Sequence, residues 1–351
     1  MAPRRAAATL RAIAFVGAVG FASLAKAQSA SPADGPLPVT PENFVRAESD
    51  LYFAGVVKNG GFGKFDHTRE LTPLDKQTVI RLNRDTLYSS AVFDLDAGPV
   101  TITIPNAGNR FMSLQVIDED QYTHGVYYKP GNYTLTRKDI GTRYVVVAVR
   151  TLVNPADPKD VETVHQLQDA IKVTQPGGPG RFEVPRWDPA SQKKVRDALL
   201  VLASTLPDTN RMYGRKGEVD PVRFLVGAAQ GWGANPPKEA LYLNVVPAKN
   251  DGATIYRLTV RDVPVEGFWS ISVYNAGGYF EPNPYNAYTL NDVTAKRNND
   301  GSISVQFGEC DGTIPNCLPV PKDWNYMVRL YRPRPEVLSG KWKFPQAQPV
   351  S

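Results

Sequence analysis

Arg143-Tyr-Val-Val-Val-Ala-Val-Arg150 runs, within a few residues, into Asn154-Pro-Ala-Asp157-Pro158-Lys-Asp-Val161-Glu-Thr-Val164-His-Gln-Leu167-Gln-Asp-Ala-Ile171. The first half is a short, β-branched apolar run of the kind that builds a buried strand. The second half places Val161, Val164, Leu167 and Ile171 three to four residues apart, the spacing of one helix face. Asp157-Pro158 supplies a helix start, because Asp accepts the orphan N–H groups of a first turn and Pro loses nothing at the first helical position. Two more acid-proline starts follow, Asp188-Pro189 ahead of Val195, Leu199, Leu202 and Leu206, and Asp220-Pro221 ahead of Val222, Leu225, Val226 and Ala229. Three helices are predicted between residues 154 and 236, with Gln175-Pro-Gly-Gly-Pro-Gly as a breaker after the first.

Upstream of this segment the period is two. Gln77–Asn83 and Leu87–Leu95 read as strands around an Arg84-Asp85-Thr86 turn, and Val100, Ile102 and Ile104 alternate with threonines. Phe111–Ile117 and Arg143–Arg150 extend the set, predicting a β-sandwich behind a helix that starts at Thr40-Pro41 and ends near Gly60. After Pro237 the period returns to two in Leu241–Val246, Ile255–Val260, Phe268–Tyr274, Ile303–Phe307 and Tyr326–Tyr331, which predicts a second antiparallel sandwich or jelly roll. The chain thus divides into 40–153, a helix plus sandwich; 154–236, helical; and 237–351, a sandwich.

The amino terminus has a different character. Arg4, Arg5 and Arg11 precede an apolar run from Ala12 to Ala22, and Ala25-Lys26-Ala27 is a small-x-small cleavage pattern. Residues 1–27 read as a secretory signal peptide, followed by a linker over 28–39. The apolar run is too short to span a bilayer, so a periplasmic or secreted protein with no transmembrane segment after cleavage is expected. The 40 basic and 35 acidic residues of the chain become 36 and 35 without residues 1–27. That balance argues against a nucleic-acid partner, which requires clustered surplus Lys and Arg. Cys310 and Cys317 are the only cysteines, and two nearby thiols in an oxidising compartment are expected to pair.

Six phrases carry a family resemblance. Ile80-Arg-Leu-Asn-Arg-Asp-Thr-Leu-Tyr88, Phe93-Asp-Leu-Asp-Ala-Gly-Pro99 and Met112-Ser-Leu-Gln-Val-Ile-Asp118 resemble a bacterial domain of unknown function numbered twelve fifty-four. Phe268-Trp-Ser-Ile-Ser-Val-Tyr274, Asn286-Ala-Tyr-Thr-Leu290 and Asn325-Tyr-Met-Val-Arg-Leu-Tyr-Arg-Pro333 resemble its C-terminal companion, numbered twelve fourteen. The resemblance implies a mainly β protein: an N-terminal immunoglobulin-like β-sandwich, a helical segment, and a C-terminal jelly-roll β-sandwich. It implies no established activity.

No hydrolase elbow, zinc-protease helix, Walker loop or dinucleotide fingerprint is present. No cofactor and no metal site is assigned, and His67, His124 and His165 are widely spaced. The candidate ligand residues form three groups. Arg81, Arg84, Asp85 and Tyr88 place guanidiniums beside a carboxylate at a strand tip, suited either to bidentate anion binding or to tying the turn to the neighbouring domain. Gln115, Asp118, Tyr122 and His124 give the amide, acid and aromatic mix that recognises sugar-like ligands. Tyr279, Tyr285 and Tyr288 lie in a proline-interrupted loop, where exposed rings stack on flat ligands. Two function classes stand open. One is an enzyme acting on a polar small molecule or glycan in a cleft between the sandwiches, with Asp85 or Asp118 as general base and Arg81 or Arg84 stabilising negative charge. The other is a non-catalytic ligand-binding or envelope-associated module. The reaction type, the catalytic residues and the oligomeric state are not fixed by the sequence.

Overall fold

A computed structural model describes residues 35–77 and 79–350, and residues 37 onward form one unit. The predicted signal peptide lies outside the described residues. The N-terminal half contains helix α1 (Phe44–Lys58) and strands β1 (Asp66–His67), β2 (Thr86–Asp94), β3 (Val100–Ile104), β4 (Met112–Asp118), β5 (Thr123–Tyr127) and β6 (Gly131–Leu135). The short helix α2 (Arg137–Ile140) and β7 (Tyr144–Leu152) complete it. Helix α3 (Pro158–Asp169) then leads to β8 (Lys172–Thr174). A five-stranded sheet in the order β1-β2-β7-β4-β5 faces a three-stranded sheet in the order β6-β3-β8, and every pairing is antiparallel.

The valine run of β7 has no polar alternation because both its faces are covered. Val145, Val147 and Val149 meet Ala91, Phe93, Leu114 and Val116, and with Val100, Ile102 and Ile104 of the second sheet they form the sandwich core. On the other face Val146 and Tyr144 pack with Val92, Ile117 and Phe53 of α1. Each fully buried side chain of this size contributes roughly 1.5–3 kcal/mol.

All three acid-proline starts behave as predicted. Asp157 accepts from Lys159 N, Asp188 from Ala190 N and Ser191 N, and Asp220 from Val222 N and Arg223 N, each with Pro in the first turn. They open α3, α4 (Pro189–Ala203) and α5 (Pro221–Gly231). The last two pack with α1 through Phe44, Ala47, Leu199, Ala203, Val226 and Ala228. Helix α3 packs apart from them, with Val164 against Leu87 and Val153.

The C-terminal half is a second sandwich. One sheet orders β12 (Thr289–Asn291), β11 (Trp269–Tyr274), β15 (Asn325–Tyr331) and β9 (Ala240–Val245). The other orders β14 (Cys317–Leu318), β13 (Ile303–Phe307), β10 (Tyr256–Val260) and β16 (Gln348–Pro349). Trp269, Ile271, Phe307, Trp324, Tyr326 and Val328 fill the space between them. The pairing is antiparallel except between β13 and β14, which run parallel where the Cys310–Cys317 disulfide closes the intervening loop. The protein is mainly β, with several antiparallel sheets.

Two local predictions are corrected. Helix α1 starts at Phe44 rather than at Thr40, because the Asn43 side chain accepts from Thr40 N at 2.8 Å and closes a turn over residues 40–43. Within Gln77–Asn83 no strand forms among the described residues. Arg81 takes a left-handed φ of 54°, and Gln77 brackets Phe280 by donating to its carbonyl and accepting from its N–H at 3.0 and 2.9 Å. Contacts with the other sandwich override the alternating pattern there.

Candidate functional site

The strand-tip arginines and Asp85 are a joint between the two sandwiches. Asp85 is fully buried and accepts from Ser270 Oγ at 2.6 Å, Asn291 Nδ2 at 3.2 Å and Thr289 Oγ1 at 3.3 Å, all on β11 and β12. Beside it the buried Arg329 donates to the Arg81 and Leu82 carbonyls, to Ser272 Oγ and to the Tyr274 hydroxyl. Arg81 donates its backbone N–H to Gly278 O at 2.8 Å and its guanidinium to Asn325 Oδ1 at 3.0 Å. Arg84 donates to Thr72 O at 2.7 Å and lies over the rings of Phe280 and Tyr288, 5.9 and 5.4 Å away. Every residue of β11 and β15 is therefore buried on both faces, polar positions included.

Of the two readings of Arg81, Arg84 and Asp85, the geometry is that of a turn tied to the neighbouring domain and not that of an open anion clamp. Burial pushes the Asp85 carboxyl above its usual range, against the pull of Arg329 and the three hydrogen bonds. The group is committed to protein partners, so it is no general base. Tyr288 is buried in the same joint, whereas Tyr279 and Tyr285 remain exposed on the loop.

The second polar group does open onto space. Asp118, Asp120, Tyr122, His124, Tyr127, Thr134, Thr142, Arg215 and Lys216 are among the residues lining a cavity of about 600 Å³. Its floor is set by β4 and β5. Asp118, at the end of β4, accepts the backbone N–H groups of Asp120 and Tyr122 on Oδ1, at 3.0 and 2.8 Å, and faces His124 Nε2 with Oδ2 at 2.8 Å. The β4–β5 register slips between Val116 and Ile117, so that Ile117 pairs with Thr123 while Val116 pairs with Gly125. His124 is the extra residue of this bulge, a device that re-aims a side chain. Its Nδ1 has no protein partner among the described residues.

The walls are held in place by neighbouring elements. Tyr122 stacks on Phe224 of α5 at 4.7 Å, and burial, then Asp120 and Asp118, push its phenol upward, so it keeps a proton to donate. Thr123 N donates to Gly214 O at 3.0 Å, which brings the exposed Arg215 and Lys216 to the rim. A methyl group at Gly125 would come within 2.6 Å of the Tyr127 ring, so a side chain there would push Tyr127 out of place. Asp120 is paired with Arg46 of α1, and Thr136 caps α2 by accepting from Asp139 N while donating to Asp139 Oδ2.

Gln115 and Tyr88 belong to neither place. Gln115 is buried and accepts from Arg150 Nη1 at 2.6 Å, while the Arg150 guanidinium lies 5.3 Å from the centre of the Tyr88 ring. The sequence pointed to Gln115 and Tyr88 but missed Arg150, which ends the valine run, and missed Arg215 and Lys216. The other histidines are occupied elsewhere, His67 with Ser89 Oγ at 2.8 Å and His165 with Arg69 O at 2.7 Å. Among the described residues no group of three or more His, Cys, Asp or Glu is placed to hold a metal ion, and no helix is long and apolar enough to cross a membrane.

Comparison with known proteins agrees with this architecture. The family model "Protein of unknown function (DUF1254)" matches residues 62–175 and "Protein of unknown function (DUF1214)" matches residues 244–335. No curated protein matches the chain. The crystal structure of the VPA0106 protein from Vibrio parahaemolyticus superposes with a TM-score of 0.69 at 18% identity, over 88% of this chain and 96% of that one. A putative uncharacterized protein from Burkholderia cenocepacia gives a TM-score of 0.50 at 11% identity, over 88% and 86%. At such identities the likeness is one of fold. The chain carries a DUF1254 region followed by a DUF1214 region.

Proposed function

We propose that this is an exported protein that binds a polar, hydroxylated small molecule or glycan in the Asp118–His124 cavity and uses His124 as a proton acceptor. The observation that carries the reading is the hydrogen-bonded Asp118–His124 pair at the floor of a cavity of about 600 Å³. Asp118 is held rigidly by two backbone N–H groups, so it orients the imidazole and leaves Nδ1 for a ligand hydroxyl. The Tyr122 phenol, the threonine hydroxyls and the Arg215–Lys216 rim offer donors for sugar oxygens or for an acidic substituent. Export is supported by the charged and apolar start of the chain and by a disulfide, which persists in oxidising compartments.

The test is calorimetric titration of monosaccharides, oligosaccharides and sugar acids into the full chain and into His124→Gln. Where a ligand is turned over, removal of a general base lowers the rate by about 10²–10⁴. Loss of turnover with binding retained supports the enzyme reading; binding by wild type without turnover, lost in His124→Gln, leaves a binding module. Wild-type behaviour in His124→Gln moves the site away from this cavity.

A further inference from the structure

Strand β9 ends its sheet, paired with β15 on one side and with no other strand among the described residues. Its sequence, Ala240-Leu-Tyr-Leu-Asn-Val245, holds no charge, proline or glycine. Sheet edges are ordinarily blunted by such residues or by shortness. The edge strands β1, β8, β12, β14 and β16 have two or three residues and β5 and β6 have five. With six, β9 is the longest edge among the described residues.

The register tells which of its backbone groups are free. Arg332 N donates to Glu239 O at 2.8 Å, one step beyond the Tyr331–Ala240 pair. Hydrogen-bonded pairs recur at every second residue of an antiparallel ladder. Leu241, Leu243 and Val245 therefore bond to β15, while the N–H and C=O groups of Tyr242 and Asn244 point away from it. Ala240 N, of the same outward set, is taken by Pro236 O at 3.0 Å. The outward groups of Tyr242 and Asn244 have no such partner among the described residues.

A cavity of about 630 Å³ follows this edge, and it shares no lining residue with the Asp118–His124 cavity. The side chains of β9 alternate: Leu241, Leu243 and Val245 pack toward the core of the second sandwich, and Tyr242 toward the joint with the first. Yet all five residues from Leu241 to Val245 line the one cavity. A space touched by both sets lies along the edge and not over one face. Val328, Leu330, Val337 and Phe344 of the sandwich core and the half-buried Trp342 give it apolar lining, and residues 206–210 and Gln230 of the helical segment also reach it.

We infer that β9 accepts an extended peptide as an added strand, one with apolar side chains at every second residue. The outward groups of Tyr242 and Asn244 supply its main-chain hydrogen bonds, and the apolar lining receives the alternate side chains. An acyl chain fills the same lining but leaves the backbone groups unmet. A folded second copy brings its own residues 206–210 and 337–346 against the edge, which a single extended segment does not. Of the charged lining residues, Asp208 is paired with Arg223, whereas Lys343 has no ion pair among the described residues. That balance favours an acidic residue in the peptide.

The test is fluorescence anisotropy of the full chain with a labelled, capped peptide of about six residues, the length of a typical strand, alternating valine and threonine and ending in glutamate. Binding should be saturable. Methylating the peptide's backbone nitrogens at one alternate set of residues should abolish it, and methylating the other set, whose N–H groups face away from β9, should leave it nearly unchanged. Asn244→Pro removes one outward N–H where an edge strand tolerates proline, and it should weaken binding roughly three- to tenfold. If Asn244→Pro fails to fold, the two methylated peptides decide on the wild-type chain. The inference is overturned if the peptide does not bind, if both methylated peptides behave alike, or if sodium decanoate binds more tightly than the peptide. A dimer that Asn244→Pro converts to a monomer gives the edge to a second copy and overturns it too.

Discussion

Asp50 gives a test in which the sign, the size and the pH window are all fixed in advance. It lies inside α1 at 2% exposure. Trp187 Nε1 donates to Oδ2 at 2.7 Å, but Oδ1 has no partner. Burial pushes its carboxyl up to about 6, opposed by the Trp187 hydrogen bond and reinforced by the nearby Glu119 carboxylate. A folded-state value above the unfolded one means that the native state resists ionisation. Below about pH 4 both states are protonated and nothing is lost; between about pH 4 and pH 6 the unfolded state ionises first and native stability falls. A carboxyl raised from near 4 to about 6 loses about 3 kcal/mol at most, or about 2 kcal/mol once water screening is allowed for. Asp50→Asn retains an acceptor for Trp187 and turns an amide toward Glu119, so it should remove this loss. The variant should match wild type near pH 4 and exceed it by about 2–3 kcal/mol near pH 7.5, which is about 5 °C in midpoint for a chain of this size. Chemical denaturation at four or five pH values, followed by tryptophan fluorescence, measures the difference. A gap between the two proteins that stays constant over this window would refute the reasoning.

Two further predictions concern the links within the fold. Asp85→Ala should cost about 3–5 kcal/mol by stranding three donors and the Arg329 charge, as measured by urea unfolding; a loss under about 1 kcal/mol would return Asp85 to a ligand-facing role. The double variant Cys310→Ser, Cys317→Ser should lose about 2–3 kcal/mol while far-ultraviolet dichroism stays unchanged, and unreduced wild-type protein should show no free thiol on denaturing labelling.

The elements that the sequence placed rest on interactions within a few residues. The Tyr144–Val149 run is a strand because β-branched side chains fit a pleated surface covered on both faces. Asp157, Asp188 and Asp220 start helices because each carboxylate reaches N–H groups two or three residues on. Cys310 and Cys317 are close enough in sequence for their pairing to be read directly. The Asp118–His124 group was legible for the same reason, six residues apart on one strand connection.

What failed were inferences about where a side chain points when its partner is distant in sequence. Arg84 and Asp85 have the same charges in a joint as in an anion clamp, and only the positions of Thr72, Phe280 and Tyr288 around Arg84, and of Ser270, Thr289 and Asn291 around Asp85, distinguish the two. Gln77–Asn83 alternates like a strand, yet its hydrogen bonds go to Phe280, Gly278 and Asn325. Arg150 ends an apolar run and looks like a strand terminus until folding brings it to Gln115 and the Tyr88 ring. By itself the sequence determined the elements and their order, because propensity, capping and periodicity act over one or two turns of chain. Only the tertiary structure decided which polar groups are satisfied by protein and which face open space, because that depends on partners brought together from as far as 248 residues away.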